Sequence, residues 1–219
     1  MDTWECIKTR RSIRKYKPVP VPRALVAKVV DAGRFAPSSG NLQNWKFIVV
    51  TDEGLKKAIA EACLEQYWME KASVHIVMVA EPDKAKRFYG KRGMLYTTQN
   101  IAAATENMLL CAHSIGLGAC WVGAFDEGKI ATIVHVPNEY RIQAVITVGY
   151  ADEVPPEPTK YHLEMVGYFN RWRGRIEDVE EFLGFHSVKI QKGIEKGKEL
   201  LGEGIKKLGD KLKEKVKSS

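Results

Sequence analysis

The chain has 219 residues, of which 45% are hydrophobic, and carries a formal net charge of +7 at pH 7. That length supports one sizeable core with an appendage, and apolar runs such as 76–80 are far too short to span a bilayer. The charge is lopsided: residues 187–219 hold ten lysines and five acidic residues, while the first 186 are nearly balanced at +2. A general nucleic-acid-binding body, which needs a basic face of its own, is therefore argued against. Cys6, Cys63, Cys111 and Cys120 form no CxxC pair and no metal-ligand spacing with the five histidines. They are expected to be reduced and mostly buried, in keeping with an intracellular protein. The first residues, MDTWECIKTRRS, contain no apolar run and read as no signal peptide, so the expected location is the cytoplasm.

In chain order, a short helix is expected over 2–9, followed by the run RRSIRKY. That run places Arg10, Arg11, Ser12 and Arg14 within five positions. Donors so concentrated call for an anion, and guanidinium forks match phosphate oxygens in bidentate fashion. A solvated basic turn is the plain alternative. After a proline-rich link (18–22), Leu25, Val26, Val29, Val30 and Gly33 recur at helical spacing. The segment Ser38-Ser39-Gly40-Asn41-Leu42-Gln43-Asn44-Trp45 then forms a polar loop before a strand at 46–51. A helix at 53–63 and a buried strand at 74–80 come next. The longest helix is expected over 95–115, its alanines suiting close approach to a neighbour. Gly116-Leu117-Gly118 ends it, and strands follow at 119–125 and 142–149 before a proline-rich exit at 152–158. This order predicts an α+β layer: a central mixed, mainly antiparallel sheet flanked by helices.

No GxxxxGK[ST], HExxH or GxSxG occurs, and Gly116, Gly118 and Gly123 have the wrong spacing for GxGxxG. Three clusters remain. The RRSIR run offers a phosphate grip, and residues 37–43 offer hydroxyls and amides. Trp121-Val122-Gly123-Ala124 offers backbone N–H groups where a glycine admits a ligand closely. Taken singly, each is more often structural than not, Ser38 and Ser39 as turn residues and Gly123 as a bulge. Together they suit a planar heterocycle on a phosphorylated polyol.

The run RRSIRKY, the loop APSSGNLQNWKF, the segment GLGACWVGAF after an alanine-rich helix and VPPEPTKYHLEMVGYFNRW near the end resemble the nitroreductase family of FMN-dependent oxidoreductases. The likeness runs in order over residues 1–175. It implies a nitroreductase-like α+β sandwich, an obligate homodimer and FMN held at the subunit interface. It assigns Arg10 and Ser12 to the FMN phosphate, with Arg11 beside them or at the ribityl chain. Arg14 would lie at the N1–C2 carbonyl edge of the isoalloxazine, where a fixed positive charge stabilises the anionic reduced flavin. Ser38, Ser39, Asn41 and Gln43 would reach FMN, some of them from the partner subunit. Gln66 falls at the pyrimidine edge. Trp121, Val122, Gly123 and Ala124 would present backbone to the N5 and O4 edge. Lys160 stands where the family usually has a phosphate-binding arginine, keeping the charge without the fork. Two departures are visible: Asn44 precedes Trp45 where the family often has proline, and Asn100 replaces an aspartate common in the long helix.

The resemblance implies a two-step reaction in which NADH or NADPH reduces the flavin and a nitroaromatic, quinone or similar acceptor then takes the electrons in the same slot. The flavin carries the redox work, so no nucleophile or dedicated general acid is required. His75 and His113 accordingly read as core or boundary residues, and His135 and His162 as loop or helix-edge residues. A specialised reductive or oxygen-dependent reaction would stay within the fold, but no lid motif points to it.

Residues 187–219 read as a separate basic, amphipathic helical tail, with 1–186 as the FMN-binding domain. Ile194, Ile205 and Val216 recur every eleven residues, as do Leu201 and Leu212, lining one stripe. The opposite face is lysine-rich. Packing on a partner is the plain expectation, and peripheral contact with anionic lipid the sharper one. A second functional class stays open: a flavin- or ligand-binding module of this fold whose tail mediates membrane or protein contact.

Overall fold

A computed structural model describes residues 1–174, and the chain divides into two compact units, Met1–Glu157 and Pro158–Ser219. The tail expected over 187–219 lies outside the described residues. Within the second unit, the described part contains one short helix at Leu163–Val166.

The first unit is built on four strands: β1 (Trp45–Val50), β2 (Val74–Ala80), β3 (Gly118–Val122) and β4 (Arg141–Gly149). They lie in the order β1-β2-β4-β3 and every neighbouring pair is antiparallel. Helices α1 (Thr3–Thr9), α2 (Arg23–Arg34), α3 (Glu53–Ala62), α4 (Pro82–Tyr89), α5 (Gly93–Ser114) and α6 (Glu127–Ile133) surround the sheet. Strand β2 is buried along its whole length, so both of its faces are covered. Alternation along it divides the core. Ile76 and Met78 pack with Val29, Ala104, Met108 and Ala112 from α2 and α5, while Val77 and Val79 pack with Ile59, Ala60 and Ile130 from α3 and α6. The result is three layers, helix on sheet on helix.

Helix starts follow from local chemistry. The side chains of Asp2, Asp52 and Asp126 accept from the backbone N–H three residues on, at 2.9, 2.8 and 3.0 Å. Each such cap is worth about 1 kcal/mol. Pro82 opens α4, where a missing N–H does no harm.

The expectation was a mixed, mainly antiparallel sheet; the four strands prove purely antiparallel. Val50 and His75 are register partners, so α3 and the turn after it leave and return at one end of the sheet instead of crossing over. Among the described residues, parallel pairing is confined to an isolated bridge between Ser12 and Ala119. Strand β3 also stops at Val122, short of the expected 125, and leaves Gly123 and Ala124 beyond the ladder. Among the described residues no helix is long and apolar enough to cross a membrane.

Candidate functional site

The site begins with how residues 10–17 are pinned to the sheet. Ile13 N–H donates to Ala119 O at 3.0 Å, and Lys17 N–H to Tyr150 O at 2.9 Å. The buried Tyr16 hydroxyl donates to Ile13 O at 2.6 Å and lies 2.8 Å from the Thr147 hydroxyl. Burial pushes the Tyr16 phenol well above its ordinary range, so it stays a neutral donor. Two glycines permit this close approach. A Cβ on Gly118 would sit 2.9 Å from Ile13 Cγ1, and one on Gly149 would sit 2.7 Å from Tyr16 Cδ1.

So anchored, the segment gathers Arg10, Ser12 and Arg14 around Cys120 of β3. Burial raises the Cys120 thiol, while Arg14, Ser12 and Arg10 pull it the other way. Among the described residues the buried Arg10 Nε has no hydrogen-bond partner; the Glu106 carboxylate lies 3.5 Å off as an ion pair only. Arg11 is already engaged, one terminal nitrogen donating to Lys8 O at 2.8 Å and Arg10 O at 2.9 Å, where it caps the end of α1. Arg14 is exposed, and its backbone N–H, like that of Lys15, donates to the Glu153 carboxylate.

A cavity of about 330 Å³ opens beside Arg10, Arg11 and Ile13, with His113, Gly118 and Glu153 on its wall. The Thr9 hydroxyl donates to Glu5 O at 2.6 Å, so its 2.9 Å contact with His113 makes Nε2 the donor. Burial first, then the Arg10 and Arg11 charges, hold His113 below its ordinary pKa and keep it neutral near pH 7.

Strand β3 is an edge strand. The Ala119 carbonyl faces outward to Ile13, so alternation aims the Trp121 N–H and C=O along that same open edge. Trp121 is partly exposed, Val122 is buried against the α3 and α6 side, and Gly123 and Ala124 are exposed. Gln66 joins them: its Nε2 donates to Ala124 O at 3.3 Å and to Cys63 O at 2.8 Å. Two successive residues with left-handed backbones, Leu64 and Glu65 (φ 57° and 58°), bring it there.

The remaining cluster is hydrogen-bonded apart from the other two. The bonds of Ser38, Ser39, Asn41 and Gln43 run inside their own loop and to Asn100, and none reaches residues 10–14 or 121–124. Lys160 is exposed and belongs to the second unit. Sequence reasoning missed Cys120, Glu153 and the cavity wall around His113. An alternating strand pattern flags Cys120 as buried. The Glu153 bond, 139 positions away in sequence, leaves no local signal.

A model of the nitroreductase family matches residues 7–71 and 63–150. A protein of Methanothermobacter thermautotrophicus, whose provisional name couples NADH dehydrogenase with NAD(P)H nitroreductase, is 35% identical over 176 residues, covering 75% of this chain and 87% of its own. A nitroreductase family protein from Clostridium novyi NT superposes with a TM-score of 0.65 at 30% identity, over 81% of this chain and 98% of its own. An FMN-dependent nitroreductase from Clostridium difficile R20291 gives 0.68 at 27% identity, over 78% and 100%. With its antiparallel sheet, its arginine corner and its glycine-ended edge strand, the chain belongs to the nitroreductase family.

Proposed function

We propose that this chain is an FMN-dependent oxidoreductase that uses NADH or NADPH to reduce a nitroaromatic, quinone or similar acceptor. The observation that carries the reading is the Arg10 side chain, with a buried Nε that no hydrogen bond satisfies, set beside Ser12 and Arg14. A buried guanidinium N–H left unmatched is costly, and a phosphate oxygen is its best remedy. The donor set therefore fits the flavin's phosphate end. Support also comes from relatives named for NAD(P)H or NADPH and from a solved FMN-dependent neighbour.

In this reading Arg10 and Ser12 hold the phosphate, and Arg11 keeps α1 in place beside them. Arg14 sets a positive charge at the pyrimidine edge, where Gln66 orients the ring through its amide. The outward N–H of Trp121 and the bare backbone at Gly123 face the N5 and O4 edge, with no side chain to block stacking. Bound there, the flavin supplies the redox chemistry, accepting two electrons and passing them on. The two co-substrates then use one slot in turn.

The working unit is a homodimer. Its support is that no hydrogen bond joins the 38–43 loop to the arginine corner of its own chain, which suits a loop offered to a second copy. Trp4, Phe35 and Phe88 are 66%, 69% and 71% exposed, which suits surfaces that a partner covers. The purified full chain is expected to be yellow, to bleach with NADH or NADPH under anaerobic conditions, and to sediment as a dimer. A colourless protein that FMN cannot reconstitute overturns the reading.

A further inference from the structure

The loop at 38–43 holds an unfavourable backbone. Gly40, Asn41 and Gln43 all adopt left-handed φ, at 54°, 55° and 48°. Only glycine takes that region freely, so Asn41 and Gln43 persist there because something else fixes the loop. The local bonds from Gln43 N–H to Ser38 Oγ at 3.1 Å and from Gln43 Nε2 to Asn41 Oδ1 at 3.1 Å are both exposed. The buried anchor is elsewhere. Ser39 N–H donates to Asn100 Oδ1 at 2.9 Å, and Asn100 Nδ2 donates to Asn44 Oδ1 at 2.8 Å. Asn44 Nδ2 in turn donates to Thr97 Oγ1 at 3.0 Å and to Glu81 O at 3.1 Å. Thr97 finally donates to Gly93 O at 2.8 Å.

Asn44 and Asn100 are only 1% and 4% exposed, so water cannot substitute for these bonds. The chain of donors can run in one direction only. At one end stands a backbone N–H, which can only donate; at the other stand the carbonyls of Glu81 and Gly93, which can only accept. Turning either amide over would set donor against donor and acceptor against acceptor. An aspartate at 100 would still accept from Ser39, but when ionised it could not donate to Asn44. The two departures from the family pattern noted in the sequence are thus bonded to each other.

We infer that Asn44 and Asn100 are paired positioning residues: a one-directional hydrogen-bond relay that ties the strained 38–43 loop to α5 and to the end of β1, holding it ready for ligand. The inference rests on the flavin reading of that loop. Neither asparagine touches the flavin; both act through Ser39.

The test is FMN titration of the cofactor-stripped full chain at a temperature where every variant is folded, with visible circular dichroism of the bound flavin as a second readout. Asn44→Ala and Asn100→Ala are each expected to weaken FMN binding about tenfold, the worth of one lost buried hydrogen bond. The double variant is expected to lose little more than either single one, because breaking a relay once breaks it entirely. Asn100→Asp keeps the acceptor for Ser39 and most of the shape, and it too is expected to bind more weakly and to alter the flavin dichroism. Thr105→Val is the control: Thr105 is buried in α5 and donates only to Ile101 O at 2.8 Å, so its loss lowers stability without changing FMN affinity. Single variants that bind FMN as tightly as wild type overturn the inference, as do losses that simply multiply in the double variant. A wild-type chain that binds no FMN is a different result, visible before any variant is made, and it removes the flavin reading itself.

Discussion

Replacing Arg10 by alanine separates cofactor binding from folding. Among the described residues the guanidinium has one ion pair, with Glu106 at 3.5 Å, and that carboxylate is 44% exposed. A pair in such surroundings contributes no more than about 1 kcal/mol, and the orphaned Glu106 is rehydrated. Stability should therefore hardly move. Binding should move a great deal, because a charge-assisted hydrogen bond to phosphate is worth about 1.5–3 kcal/mol. Losing one such bond weakens FMN affinity about tenfold to 150-fold. Titration of FMN fluorescence quenching into the stripped protein reads this directly, with thermal unfolding as the companion measurement. Glu106→Gln removes the competing carboxylate and should leave binding intact or tighter. An Arg10→Ala protein with unchanged affinity would refute the assignment of the corner to phosphate.

Gly149→Ala places a methyl group 2.7 Å from the Tyr16 ring and 3.3 Å from Ser73 N; overpacking of this kind costs about 1–3 kcal/mol. Denaturant titration should show it, with flavin content falling in parallel. Burial holds His75 down at about 4, because charging it inside the α3 and α6 core is unfavourable. The unfolded chain then takes up the proton first, so this contribution is whole above the ordinary histidine pKa of about 6.5 and is lost as pH falls toward 4. His75→Leu should flatten stability between those values, and an unchanged slope would count against the buried neutral histidine. Arg14→Ala should weaken FMN retention and slow reduction by NADH, whereas His113→Ala should lower the melting temperature more than turnover. Stopped-flow traces and unfolding curves compare the two.

Much of the fold was legible because period and burial agree. The β-branched run at 74–80 reads as a buried strand and is one, fully covered on both faces. The small residues of 102–104 and 112 read as a packed helix, and α5 lies against the sheet. Helices α4 and α6 escaped because PDKAKRFY and EGKIATI are short and charged or mixed, without a long apolar stripe. That the sheet is antiparallel throughout, and not only mainly so, escaped because strand direction depends on where a connection returns, which local pattern does not encode. In the proposed site, the arginine run and the 38–43 loop drew attention by composition. The Asn44–Asn100 pairing did not, since each amide looks like an ordinary polar substitution until the two are seen 2.8 Å apart.

The docking of residues 10–17 bears on when the corner can exist. Its bonds run from the first seventeen residues to Ala119, Thr147, Tyr150 and Glu153. During synthesis the arginines emerge early, yet they have nothing to lie against until β3 and β4 have followed. Such distant closure is paid for late in folding. A truncated or half-made chain therefore owns the arginines of 10–14 and still lacks the corner, and a bound coenzyme would certify that this early segment had closed upon β3 and β4.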